Sequence, residues 1–574
     1  MSINTNYPNV RPSLLLDFAN AQTLDPRVTF SRSTTAPYYD GKTSVLAEQN
    51  LLLQSNTFSN VAWVATSATI ASGVTDPAGG TTAFSMTATA GNATLYQTLT
   101  LTATAYTESI YIQRVTGTGT INLTLDGSTL SPVTITSSWA KYTYTATPSA
   151  GSRTIGIQIV TSGDAINIYG SQLENRSSAT ATNITTTTAI TNYIPQLLTA
   201  PINAPRFDFN PTTGESLGLL IEQSSTNLLT YSQLFSDSTW VKIRSSITQT
   251  AGIAPDGTQT AQLLIEDTTV TNSHGCGNYG SQTITSGQQY TWSVEAKAWT
   301  RNYITLSGDI GNGWLGNGVQ FSLIDGTVQK NSSALVTTST NLGNGWWRFS
   351  ITATASASGN AKPGVYIGSV PATGASNGVD SYTGNGYSGI YIWGAQLEAL
   401  AFPTSYIATT SAQVTRASDV PPKTTSTNFT QWFNYQQGTI YCAFDTPTIS
   451  SSAPNMAIWG IDNGTTAQYY VNKSTATISG YEGTNNASFG TITANTNQLS
   501  IYTYSNVAGS SSASGLLNGG SIGTITATTQ SILPTQLTIG GYITTSNQFT
   551  GHIKKLAFYP QAVTSAQLQA LTGS

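Results

Sequence analysis

Residues 106–115 read YTESIYIQRV, with apolar or β-branched side chains alternating with polar ones. The same pattern runs through TINLTLDG (120–127) and RTIGIQIV (153–160). A period of two puts every second side chain on one face, the pattern of a half-buried strand. Clusters of Gly, Ser, Asn and Asp between the runs read as turns. Segments with a 3.6-residue period are nearly absent. The best is TSAQLQALT (564–572), where Thr564 and Gln567 have the spacing of a capping box. The chain therefore reads as all-β, with one short C-terminal helix.

The opening stretch also has a second copy. AYTESIYIQ (105–113) matches QYTWSVEAK (289–297), and three further blocks recur in the same order. NLLLQSNTFSNVAW (50–63) aligns without gaps to NLLTYSQLFSDSTW (227–240), with seven of fourteen positions identical. SSWAKYTYTAT (137–147) matches GNGWWRFSITAT (343–354), and INIYGSQLE (166–174) matches IYIWGAQLE (390–398). Four blocks in one order predict a repeated domain, the second copy being 47 residues longer. A smaller duplication, PRVTF (26–30) and PRFDF (205–209), precedes each copy and predicts a lead-in belonging to each.

The organisation expected is a docking or lead-in segment over 1–49, a first sandwich over 50–176 and a Thr-rich linker with second lead-in over 177–226. An enlarged second sandwich over 227–408, a linker over 409–429 carrying Pro421-Pro422, and a third β domain over 430–574 complete it. Strand candidates in the last unit are 438–446, 456–462, 498–505, 536–542 and 551–560.

Composition narrows the function. Of 574 residues, 21 are basic and 25 acidic, 8 % in all, against about 25 % in ordinary soluble domains. Aromatic content of 10 % supplies ample core material, so charge-driven disorder is not expected. A net charge of −4 gives no general attraction to phosphate backbones, so nucleic acid is not an expected partner. No run approaches the roughly 18 apolar residues of a membrane span. The N-terminus shows no apolar signal-peptide core, which predicts synthesis in a host cytoplasm. Cys276 and Cys442 form neither a metal spacing nor a disulfide framework and read as separate thiols.

The repeats, opening NLL…S…F…W and closing G-x-QLE, resemble the carbohydrate-binding-module-like jelly rolls of phage structural proteins. Residues 11–44 and 205–232 resemble segments common in tailed-phage virion proteins. The last unit is similar to laminin-G-like, concanavalin-A-like sandwiches, whose end reads G-x-I…A-x-Y followed by a short helix. The resemblance implies serial antiparallel sandwiches on a virion surface, of tail-fibre or capsid-decoration type, with other virion proteins and host-surface polysaccharide as partners. Homo-oligomerisation is compatible with it. Structural calcium is implied too, and Glu174 and Glu398 of the QLE motifs are its candidate ligands, although calcium takes six to eight oxygens.

Catalysis has little to draw on. His274 and Cys276 share a Gly-rich stretch, but no orienting third group accompanies them. His552, beside Lys554 and Lys555, reads as a solvated surface group. A glycosidase would need two carboxylates flanking a sugar, and Asp256 and Asp309 read as turn caps. The expectation is a non-catalytic protein, with a polysaccharide-degrading enzyme the least favoured reading.

Sugar binding needs flat aromatic faces with amide and hydroxyl groups around them. Trp63/Trp240, Trp139/Trp346 and Tyr169/Trp393 recur in both copies and are assigned to shared packing. Trp299, Tyr303, Trp314 and Trp347 lie in the second copy, and Trp432 and Tyr435 near the start of the third unit; these six are the expected stacking residues. A capsid decoration, cement or collar protein with no glycan ligand is the alternative.

Overall fold

The computed structural model describes all residues except 1–10, 280–281, 309–317, 332–334, 372–378, 448–454, 466, 475, 508–509, 527–532, 543–547 and 573–574. Every ladder between its named strands is antiparallel, and the described helices are three short ones, Phe18–Ala21, Thr427–Thr430 and Ser565–Thr572. The fold is all-β, built as three two-sheet sandwiches.

In the first sandwich, one five-stranded sheet runs in the order Ser131–Val133, Ile121–Thr124, Gly151–Ile159, Ala93–Leu101, Val64–Thr66. The other runs Ala140–Ala146, Tyr106–Thr116, Ala165–Glu174, Ala83–Ala88, Ala68–Val74. Alternate residues such as Leu95, Ile110, Ile112, Ile155, Ile157, Ile166 and Ile168 meet between the sheets. The second sandwich repeats this with six strands per sheet and a core that includes Trp240, Trp292 and Phe349.

The repeat motifs fix the same knots twice. Asn50 Nδ2 donates to the Ser171 and Asn183 carbonyls, and Asn227 Nδ2 to those of Ala395 and Ile407. Trp63 and Trp240 each donate their indole N–H to a carbonyl nine residues earlier, at 3.0 and 3.1 Å. One aligned pair differs sharply. Glu108 occupies the core position held by Trp292 in the second copy. Its carboxyl is fully buried, and the Thr124 amide faces it without forming a hydrogen bond. Burial pushes its pKa well above the usual range. Glu108→Leu is expected to stabilise the chain by roughly 1–3 kcal/mol, read from the urea midpoint at pH 7.

The third sandwich departs from the expected layout. Its larger sheet runs Arg206–Phe209, Ser216–Ile221, Gly551–Tyr559, Gln437–Asp445, Gln498–Val507, Ser510–Leu517, Gly523–Ile525, and Leu14–Leu16 also pairs with Gly551–Tyr559. The facing sheet begins Thr29–Ser31, Val420–Thr425, Gln536–Ile539, Met456–Asp462 and continues through Ala467–Ser474, Thr477–Glu482 and Asn485–Thr491. So the two lead-ins are not accessories of the jelly rolls. They are strands of the last sandwich, in opposite sheets, and both jelly rolls are excursions from it.

The expected linkers are also structured. Ile190–Pro195 pairs with Ser44–Asn50, and Leu198–Ala200 with Ala36–Tyr38. Pro421 and Pro422 lie in a sheet strand where the ladder to Thr29–Ser31 shifts register, a place where missing N–H groups are tolerated. The C-terminal helix has its capping box: Thr564 N donates to Gln567 Oε1 at 2.9 Å, and Gln567 N reaches Thr564 Oγ1 at 3.4 Å.

A buried ion cluster closes this arrangement. Asp419 accepts from Arg32 Nη1 at 2.8 Å and Arg206 Nη2 at 2.5 Å, and from the Glu222 backbone N–H at 2.9 Å. Arg206 also donates to Glu222 at 2.7 Å, with Arg416 at 3.5 Å from the same carboxylate. These residues come from both lead-ins and from the segment before the third unit. The duplicated arginines are not equivalent: Arg27 pairs near the surface with Asp25, while Arg206 is fully buried.

Candidate functional site

The outer side of one sheet in each jelly roll sets a half-buried tyrosine among polar side chains, most of them buried. In the first, Ala93 and Leu95 point into the core, as do Ile121, Leu123, Ile155, Ile157 and Ile159. The intervening residues therefore face outward. The ladder register places Pro132, Asn122, Gln158, Thr94 and Thr66 side by side across five strands. The adjoining row is Thr124, Gly156, Tyr96 and Val64. Asn122 Nδ2 donates to Gln158 Oε1 at 2.9 Å and both amides are buried, so the accessible polar groups of this row are the half-buried Thr94 and the exposed Thr66. Gly156 has φ +146°, and a Cβ there would collide with the Leu95 carbonyl oxygen and meet Tyr96 Cδ1 at 3.1 Å. The close approach of the two strands requires the glycine, and the Tyr96 ring lies beside it. Val64, beside Tyr96, is 62 % exposed, so the row carries an apolar spot framed by polar groups.

In the second jelly roll the cross-strand row is Ile243, Gly275, Tyr366, Thr305, Gln320 and Lys330. A Cβ on Gly275 would lie 2.7 Å from Tyr366 Cδ1, and one on Gly364 would lie 3.1 Å from its Cε2. Opposite edges of the ring thus rest over two glycines; the ring is half-buried, and Thr305 and Gln320 of its row are fully buried. Tyr279, 46 % exposed, covers Gly277 in the same way, with Lys362 Nζ 5.6 Å from its ring centre. Burial on its sheet side pushes the Tyr366 phenol up to about 12. Tyr303 stands on this face, two residues from Thr305.

The other expected stacking residues lie elsewhere. Trp299 is half-buried at the junction of the jelly rolls, packing on Tyr387 at 4.9 Å. Tyr387 in turn contacts Tyr111 and Tyr169 of the first copy at 6.0 and 6.4 Å. The ring therefore serves an internal contact. Trp347 stacks on Phe349 at 6.2 Å and covers Gly326. Trp432 is a correction: only 3 % exposed, it lies in the third core against Phe429 and Phe558 and presents no face. Tyr435 packs on Phe433, its hydroxyl donating to the Pro534 carbonyl at 3.3 Å. Trp314 and Asp309 lie outside the described residues.

The QLE glutamates do not fit a calcium site. Glu174 accepts from Thr180 N at 2.8 Å, Thr180 Oγ1 at 2.7 Å and Gln172 Nε2 at 2.7 Å. Glu398 accepts from Thr404 N at 3.0 Å, Thr404 Oγ1 at 2.5 Å and Ser225 Oγ at 2.6 Å. Each closes a turn onto a threonine six residues on, a spacing visible in both copies. Among the described residues no three His, Cys, Asp or Glu side chains cluster as metal ligands.

The titratable pairs are internal. Cys276 is fully buried, and burial pushes its thiol up to about 12. His274 is also buried, with Nδ1 2.8 Å from the Arg244 carbonyl and 3.3 Å from Asp267. His552 is not a solvated group. It bridges Asp445 (2.8 Å) and Asp208 (3.1 Å), joining the second lead-in to the last sandwich.

Comparison with known proteins adds little to this geometry. No protein-family profile and no curated protein sequence matches the chain. Among solved structures, the CBM40 of the Ruminococcus gnavus IT-sialidase, bound to α2,3 sialyllactose, is 14 % identical. The match covers 25 % of this chain and 84 % of that one, at a TM-score of 0.20. The CBM22-1–CBM22-2 tandem of Paenibacillus barcinonensis Xyn10C is 12 % identical over 62 % of this chain and 99 % of that one, TM-score 0.20. Domains LG4-5 of the mouse laminin alpha1 chain are 10 % identical over 52 % and 90 %, TM-score 0.18. Overlaps this slight bear on nothing further.

Proposed function

We propose that the chain is a structural protein of a phage particle whose jelly rolls hold host-surface glycans by their outer sheet faces. The observation that carries the glycan reading is a half-buried tyrosine beside glycine in both copies, Tyr96 with Thr94 and the exposed Thr66 on the neighbouring row, and Tyr366 near the exposed Tyr279. The open part of such a ring takes the apolar side of a pyranose, and accessible hydroxyls beside it take its hydroxyl groups. The virion assignment is supported by the resemblance of residues 11–44 and 205–232 to tailed-phage proteins. Shallow sites of this kind bind weakly, and display in many copies raises the avidity through effective concentration. No catalytic step belongs to this reading.

Two measurements test it. Immunogold labelling with antibodies to the chain should decorate assembled particles, and labelling confined to soluble lysate would sink the virion assignment. A glycan array probed with the fluorescent full chain should light a restricted set of glycosides. Labelled particles with a blank array would instead favour a decoration or cement protein without a glycan ligand.

A further inference from the structure

The third sandwich carries an aromatic array that is independent of the jelly-roll faces. Along Ala467–Ser474 and Thr477–Glu482, Tyr469, Val471 and Ile478 point into the core, so Tyr470 and Tyr481 face outward. Tyr470 is paired directly with Tyr481, and on its other side with Gly460. A Cβ on Gly460 would lie 2.6 Å from Tyr542 Cβ, so only glycine lets a third ring join the row. The three rings stack: Tyr542–Tyr470 at 4.5 Å and 20°, Tyr470–Tyr481 at 4.4 Å and 7°.

These spacings are close to the 4.7–4.9 Å between neighbouring strands. The rings therefore stand upright as rungs, one per strand, rather than lying on the sheet. The ladder ends at Tyr481. The next strand, Asn485–Thr491, is the last of its sheet and sets Asn486 opposite Tyr481 and Ser488 opposite Ser479. Asn486 and Ser488 are exposed. A fourth rung above that strand would thus have an aromatic ring on one side and a rim of one amide and two hydroxyls, with no charged group in the pairings that form it.

We infer that this fourth rung is a binding site for a pyranose residue of a polysaccharide, stacked on the outer face of Tyr481 with its hydroxyls on Asn486, Ser479 and Ser488. The chemistry selects the occupant. An apolar peptide side chain would cover Asn486 and both serines without satisfying them, whereas a sugar offers an apolar face and hydrogen-bonding edges together. The site does not rest on the jelly-roll reading, because it uses another sandwich and other residues.

The test is saturation-transfer NMR on the full chain carrying Tyr96→Ala and Tyr366→Ala, with methyl glycosides of glucose, galactose, mannose and N-acetylglucosamine as probes at millimolar concentration. At least one glycoside should receive saturation. Adding Tyr481→Ala should reduce that transfer at least tenfold, while Tyr481→Phe, which keeps the ring, should preserve it. Tyrosine near-UV circular dichroism confirms that each variant remains folded. No transfer to any of the four probes, or transfer unchanged by Tyr481→Ala, would overturn the inference. Sugar binding by the wild-type chain that disappears in the double variant would leave the jelly-roll reading standing and this one refuted.

Discussion

Asp419→Ala should lower the stability of the whole chain by about 3–5 kcal/mol, the cost of leaving buried charge without its partner. Two arginines, Arg32 and Arg206, have fully buried side chains against this one carboxylate. Removing it leaves both guanidinium groups in a medium that solvates them poorly, and it also strips the Glu222 backbone N–H of its acceptor. Arg32, Arg206 and Asp419 join three distant parts of the sequence within the last sandwich, and Arg206 and Glu222 also hold Ser405 at the end of the second jelly roll, so the loss should reach that module too. Urea unfolding followed by tryptophan fluorescence reads the effect. A midpoint unchanged from wild type would show that the cluster does not hold the lead-ins to the last sandwich.

The second large effect is a loss of stability on the alkaline side. His552 lies between Asp445 and Asp208, and although burial opposes its charge, the two carboxylates raise its pKa from 6.5 to about 10. A folded pKa above the unfolded value means the charged form is favoured by folding. The contribution is then complete below about pH 6.5 and disappears as pH rises toward 10. A shift of that size bounds the effect at roughly 5 kcal/mol. With 15 % of the side chain open to solvent, about 2–4 kcal/mol is expected. The unfolding free energy should therefore fall steadily between pH 6.5 and 9.5. In His552→Gln, which cannot titrate, that slope should be largely absent; equal slopes in both proteins would refute the assignment.

Much of the fold can be read from local pattern. Alternation in 106–115 and 153–160 identifies strands because one face of each is buried, and the repeat blocks carry the knots at Asn50 and Asn227 because their hydrogen bonds need those side chains. The closure of the third sandwich has no local signature. Leu14–Leu16 pairs with residues 556–558, and nothing in a three-residue run specifies a partner so far along the chain. The duplicated PRVTF and PRFDF even mislead, since similar pentapeptides enter opposite sheets.

Legibility of the site fails for a related reason. Tyr96 and Tyr366 look like ordinary strand residues, and their place beside glycines across the ladder, at 156 and 275, depends on register. Cross-strand register is needed to see that. The tryptophans attract attention by size, yet size is also what a core or a module junction uses, as Trp432 and Trp299 show. His552 was hidden similarly, its aspartates lying 107 and 344 residues away.

The most direct test of the glycan reading is calorimetric titration of purified host-surface polysaccharide into the wild-type chain and into Tyr96→Ala/Tyr366→Ala. Each ring contributes roughly 1 kcal/mol of aromatic contact. The account predicts measurable binding by the wild type and at least tenfold weaker binding by the double variant, with an unchanged near-UV circular dichroism spectrum. Equal affinity in the two proteins would contradict it.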